Sequence, residues 1–276
     1  RHLTRVLAVD EETRVATVEP GVVHATLQQQ VLPRGLRFGP DPSSHSRCTI
    51  GGMVGNNACG TRALGYGRTS DNLAGLTMVL ADGSEVAVRR EHTRDEFRRM
   101  HRSLDEACAA VDRDLGLVRT EFGRFGRQVS GYSLEHLLPE RFNPAAFVAG
   151  SEGTLGLLTE VTVDLVRDPP ATVLVVLGFG SIGEAGDAVP AVLEFEPRAC
   201  EGIDRRIVDV VRDRFGPLAV PPLPDGQSWL FIELAGESAA EVEARGAELV
   251  RAIGTGLVVT DQLDAAALWR IREDGA

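Results

Sequence analysis

Lysine is absent from this 276-residue chain, and all 29 of its basic residues are arginine. That absence excludes a Schiff-base lysine and a Walker-type phosphate-loop lysine among these residues. Cysteine is scarce. Cys48, Cys59, Cys108 and Cys200 include no Cys-x-x-Cys pair, so no zinc or iron–sulfur site is written here. A reduced, cytoplasmic protein is the expectation, with Cys48 and Cys59 as small buried residues rather than redox groups. No apolar run approaches membrane-spanning length, and no secretory leader pattern is visible. None of His2, His24, His45, His92, His101 and His136 is spaced as a metal pair, so no metal site is expected. The net charge of −11 argues against a nucleic-acid surface. There is no internal repeat and no low-complexity tract.

What is present fits a soluble globular protein. The chain is 43% hydrophobic and 25% charged, enough for one large or two ordinary domains. Its most informative stretch is Pro40 to Gly60, where Gly51, Gly52, Gly55 and Gly60 crowd together between small and amide side chains. Glycine lets backbone turn sharply and approach a ligand closely. Successive exposed N–H groups then form a nest for an anion such as a pyrophosphate, and Asn56 and Asn57 offer donors and acceptors to a flat polar ring. On composition alone a Gly-rich surface loop is an equal alternative.

The wording of the loop decides between them. Gly39-Pro-Asp-Pro-Ser, then Cys48-Thr-Ile-Gly-Gly-x-x-x-Asn-Asn-Ala-Cys-Gly60, resembles the flavin-binding loop of FAD-linked oxidases of the vanillyl-alcohol-oxidase superfamily. The nearest branch is that of D-lactate and glycolate dehydrogenases, including large forms with a C-terminal iron–sulfur region. A second block, Ser130-Gly-Tyr-Ser-Leu-Glu followed by Gly150-Ser-Glu-Gly-Thr-Leu-Gly-Leu-Leu-Thr-Glu, is similar to the segment that closes the flavin domain there.

The resemblance implies an α+β fold: a PCMH-type FAD-binding domain, represented by its second subdomain, over residues 1–168, and a ferredoxin-like α+β substrate or cap domain over 169–276. It implies noncovalent FAD held by Pro40, Cys48, Thr49, Ile50, Gly51, Gly52, Asn56, Asn57, Gly60, Gly156 and Leu157. It further implies oxidation of a small 2-hydroxy acid, with electrons passed to a quinone, a carrier protein or an iron–sulfur partner. The expected location is cytoplasmic, with a peripheral station at the inner face of the membrane as the alternative. Near the end, Trp269-x-x-Arg-Glu273 resembles a family segment whose arginine meets the substrate carboxylate, which makes Arg272 the catalytic-site candidate. A guanidinium suits that role because it grips a carboxylate through two parallel hydrogen bonds. An amphipathic helix with Trp269 in the core is the equal alternative.

The family has an N-terminal phosphate-loop subdomain and a later histidine and acidic motif that this sequence does not contain. The expectation is therefore a fragment that binds FAD poorly by itself. A sugar or aryl-alcohol oxidase on the same flavin fold, and a noncatalytic scaffold without flavin, stay open as rivals.

Gly178-Phe-Gly-Ser-Ile-Gly183 also matches a dinucleotide fingerprint, with Glu196 as its acid. Pro190 within the required helix counts against that reading.

The remaining pattern is conventional. Arg5–Asp10 and Arg14–Glu19 read as a hairpin, Val22–Val31 as a helix, and Leu76–Leu80 with Glu85–Val88 as a hairpin over Asp82-Gly83. Thr93 is an N-cap for one long helix reaching about Leu115. Phe147–Ala149 and Leu157–Val166 read as strands. Beyond Asp168-Pro169-Pro170, strands and helices alternate, which predicts a sheet with helices on one face.

Overall fold

The computed structural model describes residues 2–125 and 131–275. Ser130, which opens the second motif, lies outside the described residues. By their contacts the residues form two units, Arg1–Cys59 with Gly67–Arg167, and Gly60–Tyr66 with Asp168–Ala276.

The first unit is built on a hairpin, β1 (Val6–Asp10) and β2 (Val15–Val18), whose turn is held by the Asp10 carboxylate accepting the N–H groups of Glu12 and Thr13. Next come α1 (His24–Val31), β3 (Leu36–Arg37) and α2 (Ile50–Asn56), then α3 (Ala63–Tyr66), which belongs to the second unit. The first unit resumes with β4 (Leu73–Val79), β5 (Glu85–Arg89), α4 (Arg94–Met100), α5 (Arg102–Arg113), α6 (Leu115–Glu121), α7 (Pro144–Val148), β6 (Leu157–Asp164) and β7 (Val166–Arg167). One antiparallel sheet has the order β1-β2-β6-β4-β5, and β3 pairs with β7. Leu27, Phe38, Ile50, Met53, Phe97 and Phe147 are fully or nearly fully buried in a single core.

Two local expectations for this unit change. The long helix after Thr93 is broken. Thr93 and Glu96 do form a capping box, but His101 leaves the helix with extended backbone (φ −161°, ψ 149°) and starts α5 by accepting the Ser103 N–H. His101 is thus a cap, bonded through Nε2 to Asp82 at 2.9 Å. Phe147 lies in a short helix, not a strand, because Asn143 caps it and Pro144 supplies the preset φ of a first helical position. His45 is partly buried, its ring edge-on to His24 at 6.1 Å.

The second unit continues with β8 (Ala171–Phe179), α8 (Ile182–Leu193), β9 (Ala199–Asp204), α9 (Arg205–Phe215), β10 (Ser228–Gly236), α10 (Ala239–Ile253), β11 (Gly256–Val259) and α11 (Gln262–Asp274). The sheet order β11-β8-β10-β9, antiparallel throughout, is the ferredoxin-like arrangement. Helices cover both faces rather than one. Val173, Val175, Leu230 and Ile232 pack with α8 and α10, whereas Leu174, Val176, Trp229 and Phe231 pack with α9 and α11. The reason is in the strands. Val173–Leu177 and Trp229–Leu234 are buried residue after residue, and a strand apolar on both sides needs cover on both.

The glycine fingerprint at 178–183 is resolved by topology. β8 and β9 are separated by β10 and no pair in the sheet is parallel, so no βαβ dinucleotide unit exists there. Pro190 was the wrong argument, since α8 carries it within the helix. Gly178 has a packing role: a Cβ there would sit 2.3 Å from the Asp225 carbonyl oxygen.

Candidate functional site

In the first unit, the two glycine motifs converge on a cavity of about 300 Å³. Its walls are the Pro20–Gly21 turn, one face of α2 with the preceding Thr49, and the segment from Val148 through Leu158. No charged side chain lines it; Thr49 and Ser151 supply the side-chain polar groups. Leu157 is 72% exposed, a large apolar residue without protein cover.

The backbone of α2 does not form the expected anion nest. The N–H of Ile50 donates to Val22 O and that of Gly51 to Pro20 O, both at 2.8 Å. The N–H of Gly52 donates to Thr49 Oγ1 and that of Met53 to Thr49 O. The loop folds into a capped helix, and these amides are spent inside the protein. The glycines do two other things. Gly51 allows close approach: a Cβ there would meet Pro20 Cβ at 2.5 Å and Pro20 O at 2.9 Å. Gly52 and Gly55 keep the cavity wall low. A Cβ on Gly52 would touch only Thr49 Oγ1, at 3.1 Å, and one on Gly55 would find nothing nearer than 3.8 Å.

The expected cofactor residues therefore separate. Thr49, Gly51, Gly52, Gly156 and Leu157 line the cavity. Cys48, Ile50, Asn56, Asn57 and Pro40 lie outside its lining. Ile50 is fully buried in the core. Asn57 takes a left-handed backbone (φ 47°) to end α2, and its side-chain oxygen accepts the Ser70 N–H. Pro40 is buried, its carbonyl bonded to His24 Nε2 at 2.9 Å. Gly60 belongs to the second unit. Sequence reasoning missed Pro20, Gly21, Gly55, Val148, Ser151 and Gly153. Gly55 and Gly153 stand inside the two motifs, whereas Pro20-Gly21 lies between the first hairpin and the first helix and belongs to neither motif.

The second motif is braced from its own side. Thr154 Oγ1 gives its one proton to Ser151 O, so Tyr132 Oη donates to Thr154 Oγ1 at 2.7 Å. The nearby thiol is quiet, because burial pushes Cys48 above the ordinary cysteine range. Cys200, in the second unit, is pushed up to about 11 by burial and by the neighbouring Glu201. Thiols held protonated suit packing rather than redox chemistry.

In the second unit, α11 places Trp269 edge-on to Phe231 at 5.9 Å and turns Arg272 toward Thr61 and Glu201. The Arg272 side chain is only 12% exposed. Beside it, Arg62 holds the buried Glu233 through two bonds of 2.7 Å, a fork-to-fork pair. Among the described residues no group of histidine, cysteine and carboxylate side chains could hold a metal ion.

Comparison with known proteins decides the family. Residues 1–89 match the FAD binding domain model, and residues 168–276 match that of FAD linked oxidases, C-terminal domain. The chain belongs to the FAD-linked oxidases. The family's cofactor is FAD. The chain is 28% identical to D-2-hydroxyglutarate dehydrogenase of Escherichia coli K12, over 89% of this chain and 26% of the relative. It is 30% identical to glycolate oxidase subunit GlcD of Bacillus subtilis 168, over 92% of this chain and 44% of the relative. It is 26% identical to D-lactate dehydrogenase of Anaerostipes hadrus, over 87% of this chain and 42% of the relative. The chain thus spans less than half the length of these relatives. A solved structure of alkyldihydroxyacetonephosphate synthase shares the fold, with a TM-score of 0.65 at 17% identity over 100% of this chain and 45% of that one.

The cavity fits the family cofactor in chemistry. An uncharged wall of glycine edges, two hydroxyls and the uncovered Leu157 suits the flat or sugar portions of FAD better than its pyrophosphate. Its volume is at the small end for small-molecule sites, room for one portion of a dinucleotide.

Proposed function

We propose that the full-length protein oxidises a small 2-hydroxy acid, of the D-lactate, glycolate or D-2-hydroxyglutarate kind, using FAD. The observation that carries the reading is the cavity formed where the two glycine motifs meet, in a chain whose relatives include dehydrogenases of such acids. When bound, FAD would supply a two-electron acceptor for the substrate's α-hydrogen and its electron pair, while the hydroxyl proton leaves to a base and the hydroxy acid becomes a 2-oxo acid. Thr49, Gly52, Gly55, Ser151, Gly153 and Leu157 hold and exclude water from part of it. Arg272 grips the substrate carboxylate through its forked N–H groups and so orients the α-carbon. The electrons then pass to a quinone, a carrier protein or an iron–sulfur partner.

The test is anaerobic bleaching of the flavin band in the purified full-length protein by D-lactate, glycolate, D-2-hydroxyglutarate, a sugar and an aryl alcohol. Bleaching by the hydroxy acids is expected; bleaching by the sugar or the aryl alcohol alone overturns the reading. Arg272→Lys keeps the charge and loses the paired bonds. A charge-assisted bond is worth about 1.5–3 kcal/mol, so kcat/KM falls roughly tenfold to a hundredfold at unchanged flavin content.

A further inference from the structure

A carboxylate anchor works only if its plane is fixed, and arginine is a long side chain on a flexible stem. The second unit contains a device that fixes this one. Arg272 Nη1 donates to Thr61 Oγ1. Thr61 gives its single hydroxyl proton to Glu201 Oε2. Because that proton is committed to the carboxylate, the lone pairs of Thr61 are turned toward the guanidinium. Glu201 Oε2 also lies 3.7 Å from Arg272 Nη1, close enough for its charge to be felt but too far for a direct hydrogen bond.

Thr61 is itself well held. Its neighbour Arg62 grips the buried Glu233 with two bonds. Gly65 donates to the Arg198 carbonyl, and there is no space for a side chain, since a Cβ would lie 2.8 Å from Arg198 Cδ and 3.0 Å from Arg198 Cα. The Arg198 guanidinium stands over the Tyr66 ring at 5.7 Å. Threonine is also stiff about χ1. The hydroxyl therefore occupies one place, set by a pinned loop on one side and strand β9 on the other.

We propose that Thr61 and Glu201 are positioning residues for Arg272: an arginine–hydroxyl–carboxylate chain that sets the guanidinium plane and offsets part of its charge. Substrate is then selected by the geometry of its carboxylate rather than by charge alone. This rests on the reading of Arg272 as the carboxylate anchor.

The experiment uses the full-length, FAD-loaded protein with two readouts, steady-state kinetics on the best hydroxy acid and calorimetric titration with oxalate, an unreactive carboxylate probe. Thr61→Val is expected to raise both KM and the oxalate Kd about tenfold, the usual cost of one hydrogen bond to a charged group, with kcat little changed. Thr61→Ser, which keeps the hydroxyl, restores both. Thr61→Val added to Arg272→Lys costs nothing more than Arg272→Lys alone, because both remove one interaction. Glu201→Gln keeps an acceptor for Thr61 and removes the competing charge, so oxalate and acetate both bind more tightly. This arm carries the test should Thr61→Val fail to fold. If Arg272→Lys weakens oxalate while Thr61→Val and Glu201→Gln leave it unchanged, the positioning role is overturned and the anchor stands. If Arg272→Lys itself leaves KM and Kd unchanged, the anchor reading fails, whatever Thr61 does.

Discussion

Gly51 and Gly52 are adjacent and chemically identical, yet their surroundings differ. Both line the cavity, but a Cβ on Gly51 would run into Pro20, whereas one on Gly52 would meet only the Thr49 hydroxyl. Opposite phenotypes follow. Gly51→Ala drives a methyl into Pro20 and is expected to cost about 1–3 kcal/mol in urea unfolding, as overpacking does. Gly52→Ala meets only the Thr49 hydroxyl and gains up to about 1 kcal/mol of helix propensity. Its stability holds or rises while flavin retention in the full-length protein falls. Equal losses of stability in both variants would remove Gly52 from the cavity wall. The sequence made the glycine cluster legible, but not which glycine also packs against Pro20. That depends on the turn of α2, and α2 exists because the Thr49 hydroxyl caps it. Asn57 shows the same limit. Its amide chemistry suggests a ligand, and the left-handed end of a helix claims it instead.

Among the elements, the break between α4 and α5 shows how side-chain chemistry redirects a helix. Asp82 accepts the Ser84 N–H, which shapes the β4–β5 turn, and also bonds His101, which caps α5. These partners, the backbone bond first, hold the Asp82 carboxyl down at about 2, below its ordinary 3.8. The folded pKa is depressed, so this contribution is complete above the ordinary value and is lost as pH falls through about 2. Asp82→Asn is therefore expected to lower stability at neutral pH and to flatten the acid-unfolding profile followed by circular dichroism below pH ~4, the difference from wild type closing as pH falls toward about 2. A profile that superimposes on the wild type would show that the turn does not depend on this charge. Most elements were readable from periodicity: the alternation of strands and helices beyond Pro170 is present, α9 and α10 included. The failures, at His101 and at Asn143-Pro144, are places where a capping side chain outranks propensity.

At the scale of the whole chain, the discontinuity of the units was hidden from the sequence. Residues 60–66 start at the last glycine of the flavin-loop motif and run on from it, but pack with strands more than a hundred residues later. No local pattern reports a pairing between Arg62 and Glu233, 171 residues apart. Family and cofactor were legible because two ordered motifs survive. Arg62→Ala leaves Glu233 buried without its counterion and is expected to cost about 3–5 kcal/mol of unfolding free energy. The double replacement Arg62→Met with Glu233→Leu recovers most of that, because an apolar pair needs no desolvation. A loss in Arg62→Ala no larger than for an exposed ion pair would show that Glu233 is wetter than its burial indicates.

The same pairing sets a clock on biosynthesis. Ribosomes release the chain from its N-terminus, so the 60–66 loop emerges long before the strand that receives it. At about 5–20 residues per second, 171 residues take roughly 10–35 s. For that interval Arg62 and Thr61 are exposed to solvent and to other nascent segments, while the helix and strands on either side of them are free to fold. The loop must therefore tolerate waiting. A short stretch with two glycines and no more than two apolar residues in a row is suited to it.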